Sequence, residues 1–138
     1  PDPLLDAGRV RTGRASMPRQ PIELSRVVGS VVRGCDAGVV ADLRAGEAWV
    51  QGDLLRLEQA ITHVVRHAAE QSGTLCVGLE VRGREVRIGV GFGRAAARPD
   101  ATLGLLLARR VLELHGGDLE LHAGGCTLVL PALRADER

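Results

Sequence analysis

The order of elements along this chain predicts an α/β (α+β) two-layer sandwich: a mixed, mostly antiparallel sheet with about three helices on one face. Three observations carry that expectation. Segments with a two-residue apolar alternation are interleaved with segments whose apolar residues recur every three to four positions. Glycine-bearing turns at Arg82-Gly83-Arg84 and at Gly124-Gly125 join strands directly, which makes hairpins. The last helical pattern stops hard at His115-Gly116-Gly117, just before a final pair of strands.

The elements follow in order. Leu4 to Arg14 (LLDAGRVRTGR) is a weak helical piece, since Gly8 and Gly13 would fray it. Pro18 and Pro21 bracket an extended segment that ends in Ile22 and Leu24. A helix follows, with Leu24, Val27, Val28, Val31 and Val32 at helical spacing, and Gly34 to Gly38 ends it. Val39–Leu43 and Ala48–Gln51 are strands joined through Arg44-Ala45-Gly46. Asp53 caps a central helix that runs to about Gln71, its apolar face formed by Leu54, Leu57, Ile61, Val64, Val65 and Ala68. Leu75/Val77/Leu79/Val81 and Val86/Ile88/Val90 alternate as the arms of a hairpin. Gly91 to Thr102 is a loop, the last helix spans Thr102 to His115, and Leu119/Leu121 pair with Leu128/Leu130 across Gly124-Gly125.

Composition bounds the function. A chain of 138 residues, 45% hydrophobic and 25% charged, has the length and make-up of one globular domain. A net charge of +1 gives no electrostatic reason to expect nucleic acid or an anionic membrane as partner. One Phe, one Trp and no Tyr leave few stacking platforms, so the core must be aliphatic. Cys35, Cys76 and Cys126 lack CxxC spacing, and two of them sit in apolar runs, which favours buried reduced thiols over disulfides or zinc. No apolar run approaches the ~20 residues needed to span a bilayer. With no signal peptide either, the expected location is the cytoplasm.

Leu103 to Pro131 reads LGLLLARRVLELHGGDLELHAGGCTLVLP. This stretch resembles the end of the ATP-binding catalytic domain of sensor histidine kinases, in which a GxGLGL segment opens a helix that closes in ELHGG and the last strand ends in LP. Asp53 to Glu70 also resembles that family's central-helix motif, DxxRLxQVLxNLLxNAxK. Asp53, Arg56, Leu57, Gln59 and Ala68 match it, His63 and His67 occupy the two asparagine positions, and Glu70 replaces the basic residue. The resemblance implies the Bergerat-type ATP-binding fold of the gyrase, Hsp90, histidine kinase and MutL superfamily. It makes residues 18–138 the catalytic domain and residues 1–17 the end of a dimerisation helix with its linker, because Leu4–Arg14 is similar to the family's LLDLSRLEAGR.

The same resemblance assigns the site. His63 falls where relatives carry a general base, and imidazole can take a proton near neutral pH. His67 falls on the family's magnesium-ligating asparagine; imidazole suits manganese better than magnesium, so the implied cofactors are ATP and a divalent cation, Mg or Mn. Read without the family frame, His63 and His67 are equally two surface histidines on one helix face, or half of a transition-metal site. In the family's DxGxG motif, Gly91 takes the aspartate's place, Gly93 the first glycine and Ala95 the second, and Phe92 is positioned to press on adenine or to lie at the core edge. Losing that aspartate would cost ~1.5–3 kcal/mol of base recognition. Thr102, Leu103, Gly104 and Leu105 keep the final part of GxGLGL, at a helix start whose amides can hold a phosphate. A simple capped helix, with Gly104 there for packing, would look the same. His115 fits the ELHGG helix end, where its positive form would suit the helix dipole.

None of His63, His67, His115 or His122 is followed by an acidic residue, which places the phosphate-accepting histidine upstream of residue 1. The implied function is transfer of the ATP γ-phosphoryl group to a histidine on an upstream dimerisation helix, slow because the motifs are degenerate. The implied partners are that helix and a response regulator, with a monomeric fragment and a homodimeric full-length protein. Rival readings are a non-catalytic signalling domain of the same fold and an anti-sigma-type serine kinase.

Overall fold

A computed structural model describes residues 18–35, 38–43, 46–71, 74–91 and 102–138. The proposed dimerisation-helix tail, residues 1–17, lies outside them, as do Phe92 and Gly93. The elements are β1 (Gln20–Glu23), α1 (Leu24–Arg33), β2 (Gly38–Asp42), β3 (Trp49–Gly52), α2 (Leu54–Gln71), β4 (Thr74–Arg82), β5 (Glu85–Gly91), α3 (Leu103–Leu114), β6 (Asp118–His122) and β7 (Gly125–Pro131), then a 3-10 turn at Ala135–Glu137.

The main sheet has the order β2-β4-β5-β7-β6, mixed and mostly antiparallel; β1 and β3 form a separate antiparallel pair. β2 runs parallel to β4, and every other pairing in the main sheet is antiparallel. The expected direct pairing of the second and third strands is therefore corrected. A parallel pair needs a long crossover, and α2 supplies it between β2 and β4, which leaves β3 to pair with β1.

Alternation sorts the sheet into two faces. Leu75, Val77 and Leu79 of β4, Val86, Ile88 and Val90 of β5, Leu119 of β6 and Cys126, Leu128 and Leu130 of β7 are buried beneath the helices. The helices meet them with Leu24, Val27 and Val28 from α1, Leu57, Ile61, Val64, Val65 and Ala68 from α2, and Leu105, Ala108 and Leu112 from α3. The opposite face carries Cys76, Glu80, Arg82, Glu120 and His122, all exposed. Leu54, expected on the buried face of the central helix, is 41% exposed; Ala60 takes the place in the core.

Turn chemistry sets the registers. Gly83, with φ +60°, starts the two-residue turn between Arg82 and Glu85. In the last hairpin Leu119 faces Leu128 and Leu121 faces Cys126, two residues out of the expected register, so the turn is Ala123-Gly124. Gly124 takes φ +79°, while Gly125 is already in β7, where an added Cβ would lie 2.2 Å from the Val90 carbonyl oxygen. Packing against β5 thus claims the second glycine for the strand.

Asp53 caps α2 as expected, its Oδ1 accepting from the Leu55 amide at 3.1 Å and the Arg56 amide at 3.4 Å. Glu23, unforeseen from sequence, caps α1 and also accepts from the Ala48 amide at 2.9 Å, tying β1 to the entry of β3. Burial alone would raise its carboxyl pKa, but the bonds from Ser25, Ala48 and Arg26 outweigh it and hold the pKa below 4.5. Of the cysteines, Cys126 is buried and its thiol is pushed up to about 12 by burial. Cys35 is half-buried, and Cys76 is exposed on the outer face, against the expectation of a buried thiol in an apolar run.

Candidate functional site

α2 and α3 pack side by side with their chains opposed. The start of α2 meets the end of α3 at Asp53 and His115, and the middle of α2 meets the start of α3 at His63 and Gly104. A Cβ on Gly104 would lie 3.8 Å from His63 Nδ1, so the ring of His63 sits over the first turn of α3. His63 is exposed and His67, one turn further along α2, is half-buried. Thr102 caps α3, its Oγ1 accepting from the Leu105 amide at 3.3 Å. The first-turn amides of a helix precede any intrahelical acceptor, so those of Leu103 and Gly104 are the ones an anion would meet.

The structure therefore brings His63, Thr102, Leu103 and Gly104 to one place, with His67 one helical turn further along α2. Leu103 is 73% exposed there. Leu105 is different: its side chain is in the core and its amide is taken by the cap. Gly91, at the end of β5, pairs with Cys76 and Gly125. A Cβ on Gly91 would lie 3.9 Å from Cys76 Cβ, so a side chain at this position would stand on the outer face, away from α2 and α3. That outer face holds a shallow trough of about 530 Å³ whose lining includes Cys76, Gly78, Arg87, Gly91 and Thr127. His122, bonded through Nε2 to Thr127 Oγ1 at 3.0 Å, also lines it, on the far side of the sheet from His63.

The HGG stop has a structural explanation. His115 caps the C-terminal end of α3 and is 6% exposed. Its Nδ1 bonds the Val111 carbonyl at 2.7 Å and its Nε2 accepts from the Asp53 amide at 3.1 Å. Gly116 takes φ +82°, which suits glycine after a helix end. Gly117 must be glycine because an added Cβ would sit 1.9 Å from the Val129 carbonyl oxygen. The expected charged His115 is corrected: burial lowers its pKa below 6.5, and the acceptor role of Nε2 requires the neutral ring. Sequence reading also missed Gly52, where an added Cβ would fall 2.4 Å from His115 Cδ2. Gly52, beside the capping Asp53, is the signal that could have found it.

The donor set fits a divalent cation only in part. Among the described residues no group of three or more His, Cys, Asp or Glu side chains surrounds a common point. His67 could contribute one imidazole, leaving phosphate oxygens and water to complete the shell. That composition favours manganese over magnesium.

No protein-family model and no curated protein matches this sequence. Solved structures do. The chain is similar to the histidine kinase AdeS of Acinetobacter baumannii, with a TM-score of 0.70 and 18% identity over 95% of this chain and 76% of that one. It is similar to the ATP-binding domain of PrrB from Mycobacterium tuberculosis, with a TM-score of 0.69 and 18% identity over 84% of this chain and 98% of that one. A third match is full-length ShkA in complex with AMPPNP, with a TM-score of 0.72 and 16% identity over 96% of this chain and 35% of that one. The fold is the one found in the ATP-binding catalytic domains of histidine kinases. The sequence resemblance and the three-dimensional likeness converge on the same fold.

Proposed function

We propose that this chain is the ATP-binding catalytic domain of a divergent sensor histidine kinase. In the larger protein it transfers the γ-phosphoryl group of ATP to a histidine on an upstream dimerisation helix. The observation that carries this reading is the meeting of His63, from the motif-like frame on α2, with Gly104 at the start of α3. The Leu103 and Gly104 amides and the Thr102 hydroxyl receive the phosphates, His67 holds the divalent cation with them, and His63 serves as general base. Bound ATP with its cation supplies the phosphoryl group and neutralises the charge that develops on it. The exposed Leu103, Leu106 and Leu107 form an apolar strip on α3 beside that site. The dimerisation helix is the partner this reading assigns to the strip; a response regulator receives the phosphoryl group from that helix. The fragment is monomeric, the full-length protein a homodimer, and this portion works in the cytoplasm. No described helix is long and apolar enough to cross a membrane.

The outward placement of Gly91 favours a second reading, a non-catalytic signalling domain of the same fold. Titration of the chain with ATP and with GTP, each without metal, with magnesium and with manganese, separates the two. The kinase reading expects metal-dependent binding with weak base selectivity. Absence of binding by both nucleotides at millimolar concentration overturns it in favour of the signalling domain.

A further inference from the structure

We propose that His115 is a proton-operated latch that joins the end of α3 to the start of α2. Both ring nitrogens are committed, and in opposite senses. Nδ1 donates to the Val111 carbonyl of its own helix, and Nε2 accepts the Asp53 amide of the other. Only the neutral ring with its proton on Nδ1 satisfies both partners. Adding a proton to Nε2 turns the contact with Asp53 into two donors 3.1 Å apart. The ring lies directly against Gly52, where an added Cβ would fall 2.4 Å from Cδ2, so the start of α2 and the ring are in close contact.

The surroundings do not rescue the charged form. Asp53 and Arg56 face the ring from α2, and Arg19 faces it from the segment leading into β1. Glu137 of the 3-10 turn lines the same cavity of about 250 Å³, to which β3 and β7 contribute only the uncharged Gln51 and Pro131. Arg19 and Arg56 oppose a positive ring, and Asp53 favours it while its carboxylate is committed to capping α2 and to Arg56 at 3.5 Å. Burial is the largest influence and lowers the pKa, opposed by the Val111 bond, and the acceptor role of Nε2 leaves no place for a second proton. Because the ring borders the cavity, a proton can reach it without unfolding of the domain. Acidification releases the Asp53 amide, the first turn of α2 and the last turn of α3 as one local opening.

Amide hydrogen exchange on the 138-residue chain between pH 5 and pH 8, corrected for intrinsic rates, tests the latch. The Asp53 amide is expected to exchange through a local opening whose equilibrium constant rises by up to about tenfold per pH unit below about 6.5. The slowest amides of the β4–β5 pair should stay slower than Asp53 throughout. His115→Gln, neutral at every pH, should remove the slope. The nitrogen shifts of His115 in the unmodified chain report the protonated state directly, so the result stands even if the variant fails to fold. Asp53 exchanging in step with the slowest sheet amides overturns the proposal, as does protection that is flat across this range.

Discussion

His63 and His67 stand one helical turn apart on α2, yet they differ in exposure, and that difference separates their expected roles. The exposed ring stands open to solvent over the first turn of α3, and the half-buried one lies one turn further along the helix. His67→Ala is expected to weaken metal-dependent nucleotide binding in calorimetry, with manganese supporting the unmodified protein at least as well as magnesium. His63→Ala should slow hydrolysis more than it weakens binding, since a base acts in the chemical step. Equal, unchanged behaviour of both variants would return them to the role of surface histidines. Gly91 is a different case. Its neighbours leave room for a side chain, but on the outer face, so Gly91→Asp should leave ATP affinity unchanged in the same titration. A gain of tenfold or more would mean that the end of β5 turns its side chains towards the helices.

At the scale of elements, α3 shows how one helix can be specified at both ends for different reasons. Thr102 closes its start, and Thr102→Ala should cost about 1 kcal/mol in denaturant unfolding, the usual worth of such a cap. Its end depends on steric exclusion. Gly117→Ala would drive a methyl into the Val129 carbonyl, and about 1–3 kcal/mol of destabilisation is expected from such overpacking. Gly78 in β4 provides the contrast, since nothing lies within 4 Å of an added Cβ. Gly78→Ala should therefore be neutral or stabilise by up to about 1 kcal/mol, because glycine is entropically costly in a strand. If both glycine variants lost the same stability, close approach of β7 would not be what selects Gly117. Arg109 adds a further tie, donating from Nη2 to the Leu119 carbonyl at 2.5 Å and so fixing α3 to β6.

For the whole molecule, Glu23 and His115 give stability the same sign of pH dependence in two separate windows. The lowered His115 pKa means that the unfolded chain takes up its proton first, so stability is full above about 6.5 and falls as pH drops from there towards the folded-state value. The lowered Glu23 pKa adds stability that is present above about 4.5 and lost as pH falls through its folded-state value. Thermal unfolding should show a plateau above neutrality, a first decline beginning near pH 6.5 and a second below pH 4.5. A melting temperature that rises on acidification from pH 7 to pH 5.5 would contradict the neutral, buried assignment of His115. Sedimentation should find a monomer at micromolar concentration, because the reading assigns the dimerising helices to the chain upstream.

The sequence by itself determined the element order and the aliphatic two-layer core, because local alternation, helical spacing and turn glycines are written in neighbouring residues. Val77, Leu79, Ile88 and Val90 could be assigned to one buried face without coordinates, and so could Leu57, Ile61 and Val64. It also determined the two caps at Asp53 and Thr102, whose acceptors serve amides only two or three residues away. Tertiary structure decided what depends on long-range contact. It made β2 the parallel neighbour of β4, moved the last hairpin by two residues, sent Leu105 into the core and turned Gly91 outward. It also made His115 a buried neutral acceptor instead of a charged helix end, because its second partner, the Asp53 amide, lies 62 residues earlier in the chain.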